Sequence, residues 1–271
     1  MKFSDEDMLH LTGKKFSNGY KLSLKYDERR TLTRINCLVD IMRNKKVLHI
    51  GCCDHVPLIE KKIKKRQWLH GLLLENCSLV AGVDINDDSV QYVISSILPV
   101  HYSGFKENPS FSNIYSGDIT RAMPEALRSI DFDFAIMGEI LEHVNNPVQF
   151  LIETKKCIDH NVKKIIITVP NALRFRLDRP NELRYECINS DHRYWFTPYT
   201  IAKVCIEAGI YPEDLFFVDP VPRRGLVGKI ARKSGINTLG FYDRIISHSL
   251  VFVGSLVESV SDSCHSKYYL D

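Results

Sequence analysis

The sequence predicts an α/β protein built on a seven-stranded, mostly parallel sheet with helices on both faces and an antiparallel edge strand. Short runs of apolar and β-branched residues alternate along the chain with segments whose apolar residues recur at helical spacing. Strands joined by helical crossovers lie parallel and are covered on both sides, so this alternation predicts a sheet between two helical layers. A second observation is that several strand segments end in Gly or Asp, as is typical of the edge where such sheets bind ligands.

Each element is predicted from a local pattern. Pro57 suits the first turn of a helix, Asp87 and Asp88 suit the start of another, and Pro170 ends the most apolar strand segment. In order, we predict a helix over 31–42, a strand over 47–50, a helix from 57 to about 75, a strand over 79–83, a helix over 90–98, strands over 112–115 and 132–137, a helix over 148–158, a strand over 163–169, a helix from 198 to about 208, and strands over 215–218 and 249–253.

The chain is predicted to form a single domain. It has 271 residues, of which 44% are hydrophobic and 25% charged, and these values are typical of a globular protein. No linker rich in Pro, Gly or Ser and no internal repeat divides it. Within the domain we predict a helical lead-in over 1–44, a cofactor-binding core over 45–170, an acceptor lid over 171–196 and a helical insertion over 220–247.

The composition favours a cytoplasmic protein. The first residues are charged and lack the apolar run of a secretory signal, and no segment approaches the ~20 apolar residues of a membrane-spanning helix. The eight cysteines include no C-x-x-C pair, so we expect reduced thiols rather than a disulfide framework or a zinc ribbon.

The charge balance argues against a nucleic-acid partner. The net charge is only +3, although basic residues cluster over 61–66 and 223–233. A dedicated nucleic-acid-binding protein usually concentrates more excess positive charge on one face. We therefore interpret both clusters as solvated helix faces and expect a small-molecule or glycan acceptor.

Four successive strand segments are followed by residues suited to a bound nucleoside. A glycine after the first strand lets the backbone approach a ligand closely, and an aspartate after the second can accept hydrogen bonds from ribose hydroxyls. Taken singly, each is more often a turn residue or a helix cap. Their joint order indicates a cofactor site, formed by Gly51, by Asp84, by Asp118 with Ile119, and by Gly138 with Glu139.

A resemblance to class I S-adenosylmethionine-dependent methyltransferases, which have a Rossmann-like fold, is carried by the segments VLHIGCCDH, AGVDI, YSGDI, FDFAIMGEILEHVNNP and IIITVPN. It covers roughly residues 45–209 and is closest to the ubiquinone-biosynthesis enzymes and the bacterial O-methyltransferases of sugars and glycans. The resemblance implies S-adenosyl-L-methionine as cofactor. The residues implied to bind it are His49, Gly51, Cys52, Asp54, Asp84, Ile85, Asp118, Ile119, Gly138 and Glu139.

The first motif departs from the family pattern. An acidic residue followed by three glycines at alternate positions is usual, whereas this chain has His49, Gly51, Cys53 and His55 there. The usual contact to the amino group of the cofactor is therefore replaced, with Asp54 or Glu139 as alternative carboxylates. A cofactor-binding pseudoenzyme that acts as a scaffold is one alternative. A nicotinamide nucleotide is disfavoured because no G-x-G-x-x-G follows Ile50.

Three residues are predicted to act on the acceptor: His192, His143 and Glu139. On a helix predicted after the fourth strand, Glu139 would share a face with Glu142 or His143. His192 lies in the segment SDHRYWF, which follows the fifth strand and should lie over the mouth of the site. Histidine has an unperturbed pKa suited to base work near neutral pH, so His192 is the preferred base. The structural alternatives are an Asp191–His192 pair that orders the lid, and a His143 that only packs at the start of a helix.

A divalent cation is a second use for these residues. The E-x-x-E-H arrangement from Glu139 to His143, with His192 downstream, resembles the metal site of small-RNA 3′-terminal 2′-O-methyltransferases. Glu139, Glu142 and His143 are also similar to a magnesium site of the ubiquinone-pathway enzymes. Carboxylates and imidazoles suit a cation that polarises a hydroxyl acceptor.

The predicted function is methylation of a hydroxyl of a sugar, a surface-glycan precursor or a related metabolite. An RNA 2′-O-methyltransferase is the alternative that the basic clusters and the histidines permit. Arginines in and beside the lid suit an acceptor with phosphate or carboxylate groups, although they are equally explained as surface charge. They are Arg174, Arg176, Arg179, Arg184 and Arg193.

Overall fold

The protein is described by a computed structural model over residues 1–24, 28–102, 114–174, 188–220 and 247–257. Seven strands form one sheet, so the predicted fold class is confirmed. In chain order the elements are α1 (Asp5–Leu11), α2 (Arg34–Met42), β1 (Lys46–Ile50), α3 (Val56–Lys64), α4 (Leu69–Asn76), β2 (Leu79–Asp84), α5 (Asp87–Tyr92), α6 (Leu98–His101), β3 (Ile114–Ser116), β4 (Phe132–Gly138), α7 (Pro147–Ile158), β5 (Val162–Pro170), α8 (Pro198–Glu207), β6 (Tyr211–Pro220) and β7 (Ser247–Ser255).

The strand order in the sheet is β3-β2-β1-β4-β5-β7-β6. All strands run parallel except β7, which pairs antiparallel with both β5 and β6 and lies one place in from the edge. The order reverses at β1, which has β2 on one side and β4 on the other. In open α/β sheets a ligand crevice opens at the carboxyl ends of the strands beside such a reversal. The topology therefore places the candidate site at the ends of β1, β2 and β4.

Two apolar clusters cover the two faces of the sheet. Successive residues of a strand point to opposite faces, so Leu48 belongs to the cluster that includes residues of α7 and α8, whereas Val47 belongs to the one that includes residues of α2 and α4. Residues 165–170 of β5 are all buried, because this strand has a neighbour on each edge and helices on both faces. The sheet is thus a rigid base for the loops at its carboxyl edge.

The helix predicted from 57 to 75 is two helices. After α3, Arg66 adopts a left-handed backbone with φ of 53°. The amide of Arg66 donates to the carbonyl of Ile63 at 2.9 Å, and the amide of Gln67 donates to that of Lys62 at 2.8 Å. This pair of hydrogen bonds is a Schellman motif, which ends a helix. The break turns the chain so that α4 packs beneath the candidate site.

The helix predicted over 90–98 also differs, because residues 93–97 form a π-helical segment between α5 and α6. Pro99 follows this segment and has no amide hydrogen to continue regular α-helical bonding, which accounts for the irregularity.

Parts of three predictions lie outside the described residues. These are residues 112–113 of the third strand, 175–187 of the acceptor lid and 221–246 of the insertion, including the basic cluster over 223–233. The two ends of the predicted insertion belong to β6 and β7. Within the described ranges, no helix is long and apolar enough to cross a membrane.

Candidate active site at the carboxyl edge of the sheet

Two cavities meet at the carboxyl ends of the parallel strands. The first has a volume of about 650 Å³, and the ends of β1, β2 and β3 contribute to its wall. The second has a volume of about 610 Å³ and lies between the end of β1, α4 and the segment 189–192. Gly51, Glu139, Ile140 and His143 line both cavities. Every residue predicted for the site lines one cavity or the other; His49, Cys52, Asp54, Gly138 and His192 line the second only.

Gly51 forms the turn after β1. Its φ is 69°, and its amide donates to the carbonyl of Val83 at 2.8 Å, so the turn is fixed against the end of β2. A Cβ at this position would lie 2.5 Å from Cδ1 of Ile140. Glycine adopts this backbone conformation without strain, and a larger residue would also require the end of the Ile140 side chain to shift.

Asp84 ends β2 at the wall of the first cavity. Its carboxylate accepts hydrogen bonds from the amide of Cys53 at 2.9 Å and from the amide of Asn86 at 3.0 Å. Burial raises the pKa of this carboxyl, while these amides lower it. Because each carboxylate oxygen has two lone pairs, both oxygens retain capacity to accept a hydroxyl hydrogen.

The exit of β3 supplies Asp118 and Ile119 to the same cavity. One oxygen of Asp118 accepts hydrogen bonds from the amide and the hydroxyl of Thr120, at 3.0 Å and 2.6 Å. The side chain therefore also orders its own turn, which is the structural alternative for such a residue. Ile119 is buried, whereas Ile85 after β2 is 74% exposed, so Ile85 presents an apolar surface at the mouth of the cavity.

Glu139 follows β4 with a left-handed backbone, φ 57°, which is uncommon for a residue with a side chain. Its carboxylate accepts a hydrogen bond from the hydroxyl of Thr168 at 3.2 Å and lies 3.8 Å from the guanidinium of Arg34. Arg34 was not predicted as a site residue. Its backbone amide donates to Asp219 of β6 at 2.7 Å, and no local sequence pattern reports that long-range contact.

A cluster of Glu142, His143 and His192 lies in the second cavity, with one possible ligand atom from each residue within 4.8 Å of the others. The E-x-x-E-H residues lie on a turn before α7, so the expectation that they share a helix face was wrong. Glu139 is not part of the cluster.

Glu142 is the buried member of this cluster. Within the part of the chain that the structure describes, neither carboxylate oxygen has a hydrogen-bond partner, and Nε2 of His192 is 3.9 Å from Oε1, which is too long for a hydrogen bond. Burial, together with the negative charge of Glu139, raises the pKa of this carboxyl to about 8. A buried carboxyl without a donor is costly unless a cation or proton balances its charge.

Backbone contacts hold His192 against the turn. The amide of Arg193 donates to the carbonyl of Glu142 at 2.7 Å, and the Tyr194 hydroxyl donates to the carbonyl of Asn145 at 2.7 Å. Within the described residues, no hydrogen bond joins the Asp191 carboxylate to His192, so the structure does not bring together the predicted orienting pair. Burial and the neighbouring His143 lower the pKa of His192.

The Arg193 side chain contacts the carbonyls of His143 and Asp191, so it braces the turn. Of the five lid arginines, only Arg174 and Arg193 lie within the described residues.

The second cavity is also lined by His49, Cys52, Trp68 and His70. Asp54, which pairs with Lys62, lines it as well. His49 and His70 are both buried, and their Nδ1 atoms are 3.2 Å apart. Trp68 and His70 were not predicted as site residues. One sequence feature could have indicated them: His70 is the one polar side chain in the apolar run WLHGLLL. A polar residue on a buried helix needs a hydrogen-bond partner.

The sheet order and the cavities at its carboxyl edge define a Rossmann-like methyltransferase fold. The methyltransferase domain of the bacterial protein CtHen1-CN is similar over 82% of this chain and 97% of that chain, with 14% identity and a TM-score of 0.52. The small RNA methyltransferase HEN1 is similar over 90% of this chain and 27% of that chain, with 17% identity and a TM-score of 0.53. Magnesium protoporphyrin IX methyltransferase from Synechocystis is similar over 82% and 81%, with 12% identity and a TM-score of 0.48. The similarity to the CtHen1-CN and HEN1 structures, at these identities, shows the fold alone.

No protein-family model matches the sequence, and no curated protein matches it either.

Proposed function

We propose that this protein is an S-adenosylmethionine-dependent methyltransferase that transfers the methyl group to a hydroxyl oxygen. The observation that carries the proposal is the meeting of the two cavities at Gly51, Glu139, Ile140 and His143. One cavity has a carboxylate suited to a ribose, and the other contains imidazoles and a carboxyl. A methyl donor in the first would thus face an acceptor in the second, and such alignment supplies most of the catalysis in this reaction class.

In this proposal the first cavity holds the adenosine. Asp84 accepts hydrogen bonds from the ribose hydroxyls, because its backbone amide partners hold both oxygens in fixed positions. Asp118 binds the adenine amino group through the oxygen that Thr120 does not use, and Ile85 and Ile119 lie against the ring. Gly51 allows the backbone to approach the cofactor.

The acceptor hydroxyl lies at the cluster of Glu142, His143 and His192. The buried, unpartnered carboxyl of Glu142 beside two imidazoles fits a divalent cation, because a cation would balance a charge that has no other partner. When bound, such a cation supplies a Lewis acid that lowers the pKa of the hydroxyl. Oxygen then bonds to the methyl carbon, the carbon–sulfur bond breaks with its electrons left on sulfur, and the hydroxyl proton passes to water.

His192 also serves as the proton acceptor when the cluster holds no cation. Its lowered pKa favours the neutral imidazole near pH 7, so one ring nitrogen retains a lone pair for the proton. A chelator distinguishes these two roles, since only the first requires a cation.

We place a hydroxyl of a sugar, a glycan precursor or a related metabolite first among acceptors. The second cavity is large enough for a sugar ring, and the cluster at its wall suits oxygen ligands. The 2′-hydroxyl at the end of an RNA is a second candidate. It is favoured by Lys61, Lys64 and Lys65, which are exposed on and beside α3, the helix that contributes Lys62 to the cavity, and by the similarity in fold to HEN1.

The test is transfer of a labelled methyl group from S-adenosylmethionine to a panel of sugars, nucleotide sugars and short RNAs with ribose or 2′-deoxyribose at the 3′ end. We expect product with a sugar acceptor, loss of turnover with EDTA and recovery with Mn²⁺ or Mg²⁺. Glu142→Gln should bind S-adenosylhomocysteine but lose turnover, and exposed Glu125→Gln serves as its control. Failure of the wild-type protein to bind S-adenosylhomocysteine at all would contradict the proposal, whereas binding without turnover of any acceptor would favour the pseudoenzyme scaffold.

A further inference from the structure

A pair of buried histidines, His49 and His70, lines the second cavity, and neither belongs to the proposed acceptor cluster. His49 is in β1 and His70 is in α4, and both rings are nearly sealed from solvent. The rings are stacked with an interplanar angle of 27°, and Nδ1 of one is 3.2 Å from Nδ1 of the other. Burial, with a smaller effect of Arg34, lowers the pKa of His49 to about 3, and burial lowers that of His70 as well. Both rings are therefore neutral, with one proton each.

A contact between two Nδ1 atoms requires one donor and one acceptor. Either His70 donates to His49 or His49 donates to His70. Nε2 of His70 is buried and has no hydrogen-bond partner among the described residues, and this decides between the two. If His70 accepted at Nδ1, its proton would lie on Nε2 as a buried N–H without an acceptor. Orphaned buried N–H groups are rarer than buried acceptors that lack a donor, so His70 donates from Nδ1 and His49 accepts.

The consequence for His49 is that its own proton lies on Nε2. Among the described residues that atom has no hydrogen-bond partner, yet it is not one of the polar atoms sealed from solvent, and the side chain lines the second cavity. His49 therefore presents a neutral N–H donor to whatever occupies this part of the cavity. Such a donor complements an anionic oxygen and cannot pair with an ammonium group, which itself only donates.

We propose that the His49–His70 pair binds the carboxylate of the methionine part of the cofactor, with Nε2 of His49 as donor and His70 holding it in that tautomer. This rests on the proposed function, because it assigns one end of the same ligand. It leaves the cofactor's ammonium group to the carboxylates of the same cavity, Asp54 and Glu139. The guanidinium of Arg34 is close enough to His49 to lower the pKa of its imidazole, so it adds positive potential beside the proposed carboxylate site.

Close packing holds the pair in place. A Cβ at Gly82 would lie 2.6 Å from Sγ of Cys52 and 3.0 Å from Cε1 of His70, so β2 leaves just enough room for both side chains. The indole of Trp68 lies against the other side of His70, with ring centroids 5.7 Å apart. His70 thus has little freedom to turn and offer its other nitrogen to His49.

Three ligands test the assignment by calorimetry. They are S-adenosylhomocysteine, its decarboxylated analogue S-adenosyl-3-thiopropylamine, which keeps the amine, and 5′-methylthioadenosine, which lacks both groups. We expect His49→Phe to weaken S-adenosylhomocysteine by about tenfold or more, as for loss of a hydrogen bond to a charged group. The other two ligands should change less than about threefold by the same reasoning, and His49→Asn, which keeps an N–H donor, should recover part of the loss. Exposed His160→Phe is the control.

If His49→Phe bound all three ligands more weakly by the same factor, the assignment would be overturned, because this would indicate a structural role. It would also be overturned if only the affinity for the amine-bearing analogue fell. If the wild-type protein binds S-adenosylhomocysteine but His49→Phe binds it equally well, this inference fails and the proposed function stands. If the wild-type protein binds none of the ligands, the proposed function fails.

A nuclear magnetic resonance measurement on the unliganded wild-type protein is independent of any variant's folding. Long-range ¹H–¹⁵N correlations identify which ring nitrogen carries the proton. We expect Nδ1–H for His70 and Nε2–H for His49, and the reverse assignment would overturn the inference.

Discussion

Two buried carboxyls of the site differ in what surrounds them. Asp84 accepts hydrogen bonds from two backbone amides, at 2.9 Å and 3.0 Å. Within the described residues, neither oxygen of Glu142 has a hydrogen-bond partner. A carboxylate with fixed amide partners is ready to accept neutral hydroxyls, and one without partners requires a cation or a proton. The sequence predicted Asp84 from its place at the end of a strand and Glu142 from the E-x-x-E-H resemblance, but not this difference, because the partners depend on the final turn geometry.

Asp84→Ala should weaken S-adenosylhomocysteine binding by roughly 1–3 kcal/mol, because a partly buried acceptor of the ribose hydroxyls is lost. Isothermal titration measures the change. Asp88→Ala, on the exposed first turn of α5, is the matched control and should bind normally. If Asp84→Ala bound S-adenosylhomocysteine with unchanged affinity, the proposal that the ribose binds at this end of β2 would be contradicted.

His192→Ala should reduce kcat by about 10²-fold or more and leave cofactor affinity nearly intact, because His192 belongs to the proposed acceptor cluster and not to the proposed cofactor contacts. Steady-state kinetics with an identified acceptor, together with titration of S-adenosylhomocysteine, measure the two quantities. Substitution of exposed His160 by alanine controls for general effects. Full activity in the His192 variant would contradict both the base and the cation-ligand role.

At the scale of elements, the strands were predicted well and the helices less so. The seven strands are within a few residues of their predicted ranges. A buried strand gives a short run of apolar residues in the sequence, and such a run is recognised without knowledge of distant contacts. The break between α3 and α4 was missed because Arg66 occupies a left-handed position where glycine is usual. Arg34, Trp68 and His70 were missed as site residues for a related reason: packing between distant elements brings them to the cavity.

Arg66→Gly should be more stable than Arg66→Ala by about 1 kcal/mol, since a left-handed conformation costs an L-residue energy that glycine avoids. Both variants lose the same exposed ion pair with Glu75, so their difference isolates the backbone effect. Chemical denaturation monitored by circular dichroism provides the comparison. Equal stability would mean that residue 66 is not left-handed in solution.

At the scale of the whole molecule, the reversal of strand order at β1 positions the site, and the distribution of charge bears on the acceptor. The net charge is +3, although α3 and the residues after it carry a local run of basic side chains beside the second cavity. Proteins that track a phosphate backbone gain most of their affinity from released counterions, which requires many such contacts. The overall balance therefore favours a small acceptor.

We expect no tight RNA binding at an ionic strength of about 0.15 M. Gel-shift titrations with single-stranded and duplex RNA, repeated over a salt series, provide the measurement. Lys61→Glu/Lys64→Glu/Lys65→Glu is compared with a control of equal charge change at Lys2, Lys14 and Lys21, outside α3. Tight, salt-sensitive binding that only the α3 variant abolishes would instead support the RNA acceptor.

The wall shared by the two cavities has a thermodynamic consequence. Gly51, Glu139, Ile140 and His143 belong to both, so a ligand that orders this wall from one side changes the surface offered on the other. Cofactor and acceptor are then linked: each alters the affinity of the other by the same factor, commonly about 5- to 150-fold in linked systems. Positive linkage would make the empty protein a poor binder of acceptor and give turnover a preferred sequence, with the methyl donor entering first and the demethylated product leaving last.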